Sequence, residues 1–312
     1  MIDAVQKGFF NFLSQSAVLK RLASRYGMAS PASFARRFIA GETVQEAIEA
    51  AKTLQARGFD LTLDYLGESV RTHQEADAAA REYVHLIDVL MASGIERNIS
   101  LKLTQLGASV DKATCVDNLR RILEAAERHE FFVRIDMESS AYTAVTLEIF
   151  ETLWSHGHRQ IGVVLQSALH RSEADLARMN ALGARVRLVK GAYKEPKAVA
   201  YQNKSDVDAA YERMMKTLLT SGHSPAIATH DPAMIDTARR WAHETHVARD
   251  AFEFQMLYGI RRDLQTMLVN EGYRVRVYVP FGREWFPYFM RRLGERPANV
   301  SFVIRGIVGE QR

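Results

Sequence analysis

Residues 131–166 read FFVRIDMESSAYTAVTLEIFETLWSHGHRQIGVVLQ and contain two short runs of strand-forming residues, FFVRIDM at 131–137 and IGVVLQ at 161–166. The interval between the two runs is long enough to hold one crossover helix. This stretch therefore predicts a β–α–β unit with two parallel strands.

The same pattern recurs along the chain, at start-to-start spacings of about 23 to 40 residues. The further runs are LTLDY (61–65), ISLKLTQ (99–105), VRLVKG (186–191), AIATH (226–230), FEFQM (252–256) and VRVYV (275–279). Eight such units favour an α/β fold of the (βα)8 barrel type. An open doubly wound sheet is the alternative, but the G-x-G-x-x-G turn typical of that fold does not occur.

Three pairs of polar residues have the spacing of a helix capping box and predict helix starts. They are Thr43 with Glu46, Thr72 with Glu75, and Ser172 with Asp175. Gly94 and Gly183 predict the ends of the second and third of these helices, because glycine adopts the left-handed conformation that closes a helix.

Composition predicts one globular unit. The chain has 312 residues, 47% of them hydrophobic and 25% charged, which excludes disorder for most of its length. No linker or low-complexity tract interrupts it, so we expect a single domain with an N-terminal helical extension (1–42) and a barrel (43–312). A net charge of +4 does not argue for a nucleic-acid partner.

Metal and disulfide chemistry find little support in the sequence. The single cysteine, Cys115, cannot build a disulfide framework, and its helical apolar context predicts core packing. The sequence HETH at 243–246 is one residue short of the H-E-x-x-H zinc motif, so we predict no metal site. Cysteine usage fits a reducing, cytoplasmic compartment.

Membrane association is suggested only by the first residues. No apolar run reaches the roughly 18 residues of a membrane span. The opening MIDAVQKGFFNFLSQSAVLKRL (1–22) predicts a helix with one apolar face, which either packs on the main body or touches a membrane surface.

Charged residues inside the predicted strands mark the candidate site. Lys102, Arg134, Asp136 and Arg187 alternate with apolar residues in runs that a barrel should bury. Such charges are costly unless they are paired, so they indicate either an internal ion-pair network or a ligand site. Because barrel active sites lie at the carboxyl ends of the strands, the crowding of polar residues there favours a ligand site.

A second constellation lies in REWFPYFMRRLGE (283–295). Tyr288, Arg291, Arg292 and Glu295 have the spacing that places them on one helix face. Two neighbouring arginines can bind a carboxylate with bidentate geometry. The alternative is a solvated basic face with an ion pair between Glu295 and Arg291.

Read together, these segments resemble the proline dehydrogenase family, in its monofunctional form. Nine stretches occur in family order over residues 60 to 300. They are LDYLGES (63–69), LKLTQLG (101–107), RIDMESS (134–140), VVLQSAL (163–169), RVRLVKGAY (185–193), IATHD (227–231), FEFQMLYG (252–259), YVPFG (278–282) and YFMRRLGERPAN (288–299).

The resemblance implies a distorted (βα)8 barrel with an additional helix over the strand ends and noncovalent FAD. It implies oxidation of L-proline to Δ1-pyrroline-5-carboxylate, the first step of proline degradation to glutamate. It further implies electron transfer to a membrane quinone, peripheral contact with the inner face of the membrane, and a separate pyrroline-5-carboxylate dehydrogenase downstream.

The resemblance also implies roles for individual residues. Asp136 and Arg187 would be catalytic, with Asp136 ordering the cations and Arg187 near flavin N5. The substrate-binding residues would be Lys102, Arg291 and Arg292 at the carboxylate, Leu188, Tyr278 and Tyr288 around the proline ring, and Glu295 in closing the last helix. The other cofactor-binding residues would be Met137, Gln166, Lys190, Gly191, Ala192, Thr229 and His230.

Two other functions remain open at this point. A Schiff-base lyase or aldolase with the same fold would use Lys102 or Lys190 as its amine nucleophile and would need no flavin. A non-enzymatic binding module at a membrane surface would leave the charges inside the strands unexplained.

Overall fold

The computed structural model describes residue 28, residues 33–67 and residues 69–295. Most of the predicted N-terminal helical extension, including the amphipathic opening 1–22, lies outside the described residues. The strands are β1 (Asp60–Tyr65), β2 (Asn98–Leu101), β3 (Phe132–Ile135), β4 (Ile161–Gln166), β5 (Arg185–Val189), β6 (His223–Ala228), β7 (Glu253–Leu257) and β8 (Arg274–Phe281).

Helices fill the intervals between strands, as their spacing predicts. They are α1 (Val44–Gln55), α2 (His73–Ser93), α3 (Lys112–Arg128), α4 (Ser140–Ser155), α5 (Ser172–Leu182), α6 (Lys204–Ser221), α7 (Pro232–Glu244), α8 (Arg262–Asn270) and α9 (Trp285–Glu295). Two short 3-10 helices, Phe34–Arg37 and Leu103–Leu106, complete the described elements. None of the described helices is long and apolar enough to cross a membrane.

The eight strands form a closed barrel in sequence order. Each strand is parallel to the next, and β8 returns to pair with β1 from Asp60 opposite Arg276 to Tyr65 opposite Phe281. The predicted (βα)8 barrel is therefore confirmed. Its closure brings the carboxyl ends of all eight strands to one rim, where barrel enzymes carry their sites.

The predicted second strand, 99–105, is wrong in its length. The strand ends at Leu101, and the chain then turns through the 3-10 helix Leu103–Leu106 into Gly107, which has a φ of 101°. This early turn buries Gln105 beside the Tyr83 hydroxyl, which donates to Gln105 Oε1 at 3.1 Å. Leu103–Leu106 differs little from the run before it, and a short mixture of leucine with polar residues occurs both in strands and in turns. The sequence therefore did not distinguish them.

Two of the three predicted capping boxes are confirmed. Thr43 and Glu46 at α1, and Thr72 and Glu75 at α2, each exchange both capping bonds. The third is wrong: Arg171 occupies the cap position of α5, and the Ser172 hydroxyl donates instead to the carbonyl of Gln166. Gly94 and Gly183 end their helices in the left-handed conformation, as predicted.

Replacing Thr72 by Ala should lower the free energy of unfolding by about 1 kcal/mol, because the first turn of α2 loses its side-chain acceptor. The Thr72 hydroxyl accepts from the Glu75 amide at 3.2 Å in an exposed position, so little packing is lost with it. Urea denaturation measures the change. Thr72→Ser keeps the acceptor and serves as the control; equal losses in both variants would contradict this explanation.

The main apolar core lies between the strands and the surrounding helices. Cys115 of α3 is buried there, and burial raises the pKa of its thiol to about 12. The core location predicted for this cysteine is confirmed.

The barrel interior near the amino ends of the strands is filled by ions rather than by apolar side chains. Arg276 binds Glu253 through two bonds of 2.9 Å and also donates to Glu96. Burial raises the pKa of Glu253, but the charge and hydrogen bonds of Arg276 lower it more, so the net pKa lies below the usual value. These ion pairs lie at the end of the barrel away from the strand carboxyl ends.

A smaller apolar cluster fastens α9 across the opposite end. Trp285, Phe286 and Phe289 of α9 pack with Phe38 and Ile39, which follow the 3-10 helix Phe34–Arg37. The predicted C-terminal helix over the strand ends is thereby confirmed.

Candidate active site

A cavity of about 510 Å³ opens at the carboxyl ends of the strands, beneath α9. Most of the residues predicted for the site line it. They are Lys102, Asp136, Met137, Gln166, Arg187, Lys190, Gly191, Ala192, Thr229, His230, Tyr278, Tyr288, Arg291 and Arg292. A volume in this range suits a small ligand together with part of a cofactor.

Lys102 lies between two acidic side chains at the base of the cavity. Its Nζ is 3.1 Å from both carboxylate oxygens of Asp64 and 3.7 Å from Oδ2 of Asp136. The position follows from the end of β2, because the chain turns immediately after Lys102 and leaves its side chain at the rim. Lys102 is nearly buried, and so its charge is held by these two acids rather than by water.

Asp136 follows the end of β3 and forms hydrogen bonds with side chains of β5 and β8. Its Oδ1 accepts a 2.7 Å bond from Arg187 Nη1, and its Oδ2 accepts a 2.7 Å bond from the Tyr278 hydroxyl. Burial raises the pKa of Tyr278 well above its usual value, and the nearby charge of Asp136 raises it further. Tyr278 therefore acts as a neutral hydrogen-bond donor throughout the physiological range.

The Arg187 guanidinium is held from three strands at once. Besides its bond to Asp136 it donates to the Ser100 hydroxyl at 3.0 Å and to the side-chain oxygen of Gln255. The amide of Gln255 in turn donates to Glu253 at 2.5 Å. Gln255 thus connects the cavity to the ionic layer below, and it fixes the plane of Arg187.

Helix α9 covers the cavity. Tyr288, Arg291 and Arg292 of α9 all line the cavity, as their spacing predicts. Arg292 is nearly buried, and its guanidinium lies 5.1 Å from the centre of the Tyr288 ring. Two arginines and Lys102 therefore border the same cavity, which suits it to an anionic ligand.

Another wall is built from β4 and the segment after β5. Gln166 donates from Nε2 to the carbonyl of Glu138 at 2.7 Å, which turns its Oε1 toward Gly191. Gly191 has a φ of 111°, and a Cβ added there would lie 2.9 Å from that oxygen. Only glycine lets the backbone pass this close to Gln166.

Charged and imidazole groups complete this wall. Lys190 Nζ is 2.5 Å from Asp208 and 2.7 Å from Asp231. His230 accepts a 2.9 Å bond at Nε2 from the Leu257 amide, so the imidazole carries its proton on Nδ1. Thr229 accepts a bond from the Asp231 amide at 3.1 Å.

One predicted residue, Leu188, is not among the described residues that line the cavity. Leu188 is fully buried in the main core, because its side chain lies on the opposite face of β5 from Arg187. The predicted contact of Leu188 with the proline ring stays a prediction. Glu295 is the last residue of α9, and its side chain lies outside the described part of the chain.

Two important neighbours of the site were not among the predicted residues. Asp64 pairs with Lys102, and Gln255 orients Arg187. Each is a polar residue that has an apolar residue before it in a buried strand, a pattern like the one that marked Lys102 and Arg187.

The strands form a parallel barrel, and Lys102, Arg291 and Arg292 border one cavity at the carboxyl ends of these strands. This arrangement is typical of a (βα)8-barrel enzyme that acts on a small anionic substrate. The profile of a family described as proline dehydrogenase matches residues 47–305. The chain belongs to the proline dehydrogenase family. It is an oxidoreductase of proline catabolism, as the resemblance predicted.

Individual relatives agree with the family match. The chain is 40% identical over 303 residues to proline dehydrogenase 2 of Bacillus subtilis (strain 168), covering 97% of this chain and 99% of that protein. It is 43% identical over 280 residues to proline dehydrogenase of Deinococcus radiodurans, covering 88% and 90%. Both relatives are matched over nearly their full length, and both are named as proline dehydrogenases.

A solved structure agrees in fold. Proline utilization A from Bdellovibrio bacteriovorus, inactivated by N-propargylglycine, superposes with a TM-score of 0.80 at 28% identity, covering 89% of this chain and 34% of that one. The chain therefore corresponds to about a third of that longer protein.

The two other functions considered from the sequence lose their support. A lyase or aldolase does not fit the family, since the named relatives are dehydrogenases. A binding module without catalysis does not fit the family.

Proposed function

We propose that this protein oxidises L-proline to Δ1-pyrroline-5-carboxylate with noncovalently bound FAD and passes the electrons to a membrane quinone. The observation that carries this proposal is the cavity in which Lys102, Arg291 and Arg292 face a wall built around Gly191. The cations match a carboxylate, and the wall admits a flat group close to the backbone.

The residues of this wall fit a flavin. Gln166 presents a fixed amide oxygen, Gly191 leaves the backbone uncovered, and Arg187 places a buried cation beside them. Met137, Lys190, Ala192, Thr229 and His230 would hold the remainder of FAD, with Thr229 and His230 along its ribityl and diphosphate part. The bound flavin supplies the acceptor, N5, for the hydride that leaves proline C5.

The side chains supply binding and orientation. Lys102, Arg291 and Arg292 would bind the proline carboxylate, and Tyr278 and Tyr288 would border the ring. The same cations disfavour a protonated proline amine, whose lone pair is needed to form the C=N bond. Asp136 would fix the relative positions of Lys102, Arg187 and Tyr278. Helix α9 would exclude water from the bound substrate.

A quinone acceptor is lipid-soluble, so the working enzyme would contact the inner, cytoplasmic face of a membrane peripherally. The product would pass to a separate pyrroline-5-carboxylate dehydrogenase. These partners follow from the proposed reaction, and membrane contact would involve surface residues rather than the cavity.

The purified protein should show the visible absorption bands of an oxidised flavin, and anaerobic L-proline should bleach them. Arg187 and the Gln166–Gly191 wall supply the physical reason, because they place an acceptor beside the carboxylate site. D-proline is the stereochemical control. A colourless protein that still forms a borohydride-trapped adduct with a carbonyl substrate would contradict the proposal.

A further inference from the structure

Oxidation of proline, the function proposed above, requires a group that accepts the proton of the proline amine, and no residue has been assigned to this role so far. The secondary amine of proline is protonated near neutral pH, and the lone pair on its nitrogen must be freed before the C=N bond can form. The amine and the carboxylate are attached to the same carbon of proline. A cation that binds the carboxylate is therefore also near the amine, which makes Lys102 the first group to consider.

Lys102 connects the cavity to a carboxylate that the cavity does not reach. Asp64 has no solvent exposure and is not among the described residues that line the cavity. Both of its oxygens are 3.1 Å from Lys102 Nζ. A proton can therefore move between the cavity and Asp64 through the ammonium group of Lys102.

Asp136 is a poorer acceptor than Asp64. One of its oxygens accepts from Arg187 and the other from Tyr278, both at 2.7 Å. A proton placed on either oxygen would displace a short hydrogen bond and would leave the buried Arg187 less well paired.

We propose that Asp64 is the acceptor of the proline amine proton, and that Lys102 transfers it. Lys102 gives one ammonium proton to an Asp64 oxygen, which breaks an N–H bond and forms an O–H bond. The neutral Lys102 amine then takes the proton of the proline ammonium, which frees the proline lone pair. No electrons are exchanged in these steps, and the proton returns through Lys102 to water after product release.

The surroundings of Asp64 support this role. Burial raises the pKa of Asp64, the charge of Lys102 lowers it, and the charge of Asp136 raises it again, with a net increase. Tyr278 of β8 and Tyr83 of α2 also face this carboxyl group, and burial raises the pKa of both, so neither competes for the proton. A neutral Asp64–Lys102 pair also avoids the desolvation cost of two buried charges.

The test is the pH profile of kcat/KM for L-proline in Asp64→Asn. Asparagine keeps the shape of the side chain and can accept a bond from Lys102, but it cannot take a proton. We expect a loss of at least roughly 100-fold at pH 7. The loss should shrink by about tenfold per pH unit as alkaline pH supplies proline that is already deprotonated. Asp64→Glu keeps a carboxylate and should keep the wild-type shape of the profile.

Two controls separate proton transfer from structure. Binding of tetrahydrofuran-2-carboxylate, which has an ether oxygen in place of the amine, should be at least as tight in Asp64→Asn as in the wild type. Asp175→Asn removes another buried carboxylate, which pairs with Arg171 and does not line the cavity, and it should leave the shape of the pH profile unchanged.

A loss in Asp64→Asn that is equal at every pH, or no loss, would overturn the proton-acceptor role. If Asp64→Asn does not fold, a changed profile shape in Asp64→Glu would overturn it equally. Failure of the wild-type protein to oxidise L-proline in the same assay would instead refute the proposed function.

Discussion

Replacing Arg292 by Met should raise the KM for L-proline by roughly 30-fold to several thousand-fold, equivalent to about 2–5 kcal/mol. Arg292 is nearly buried in the cavity and packs over Tyr288, so its positive charge would meet the carboxylate with little screening by water. Methionine preserves much of the volume but provides no donor. Steady-state kinetics with L-proline measure the effect.

Arg291 provides the companion variant. It lines the same cavity but is partly exposed, so Arg291→Met should fall at the lower end of that range. The matched control is Arg213→Met, which removes an arginine from the exposed Arg213–Glu173 ion pair on α6 and should leave KM unchanged. An unchanged proline KM in both active-site variants would refute the carboxylate assignment.

Replacing Asp136 by Ala should lower kcat/KM for L-proline by roughly 100-fold or more, because the side chains that it positions around the substrate would shift. Arg187 would lose its 2.7 Å partner, Tyr278 would lose its acceptor, and Lys102 would lose one of its two nearby carboxylates. Kinetics with L-proline, at matched flavin content, measure the loss.

Asp136→Asn is the informative companion, because an amide oxygen can still accept from one of the two donors. Its activity should lie between those of the wild type and Asp136→Ala. Wild-type turnover in Asp136→Ala would remove Asp136 from the reacting site, whatever its effect on stability.

The fold was predictable because its signal is repeated. Each strand-and-helix unit carries its own alternation of short β-rich runs and helical intervals, so one misjudged boundary does not change the topology. The end of β2 shows the limit: in the sequence Leu103–Leu106 continues the strand-like run, whereas in the structure it forms a buried 3-10 turn in which Gln105 accepts a bond from Tyr83.

Site residues were predictable where a single charged residue stands out in an apolar run. They were less predictable where the role of a residue depends on a second residue that is distant in the sequence. Lys102 and Asp136 stand out as charges in apolar strands. Arg134 gives the same signal, yet it lies one layer lower and donates to the carbonyls of Val163 and Arg185. Strand register sets this difference in depth, and a single sequence does not contain it.

Asp64 shows the same dependence on register. Its pairing with Lys102 joins residues that are 38 positions apart in the sequence, through neighbouring strands. The two are brought together only by the parallel alignment of β1 with β2, in which Asp64 lies opposite Ser100.

The return of β8 to β1 has a consequence for how this chain could be divided. The acids and the lysine come from β1, β2 and β3, whereas Arg187, Tyr278 and both arginines of α9 come from the second half. Neither half, made as a separate polypeptide, would carry a complete set of ligands for proline. A circular permutant in which β8 again pairs with β1 would contain all of these residues. Its affinity for the substrate would therefore report whether the barrel has closed.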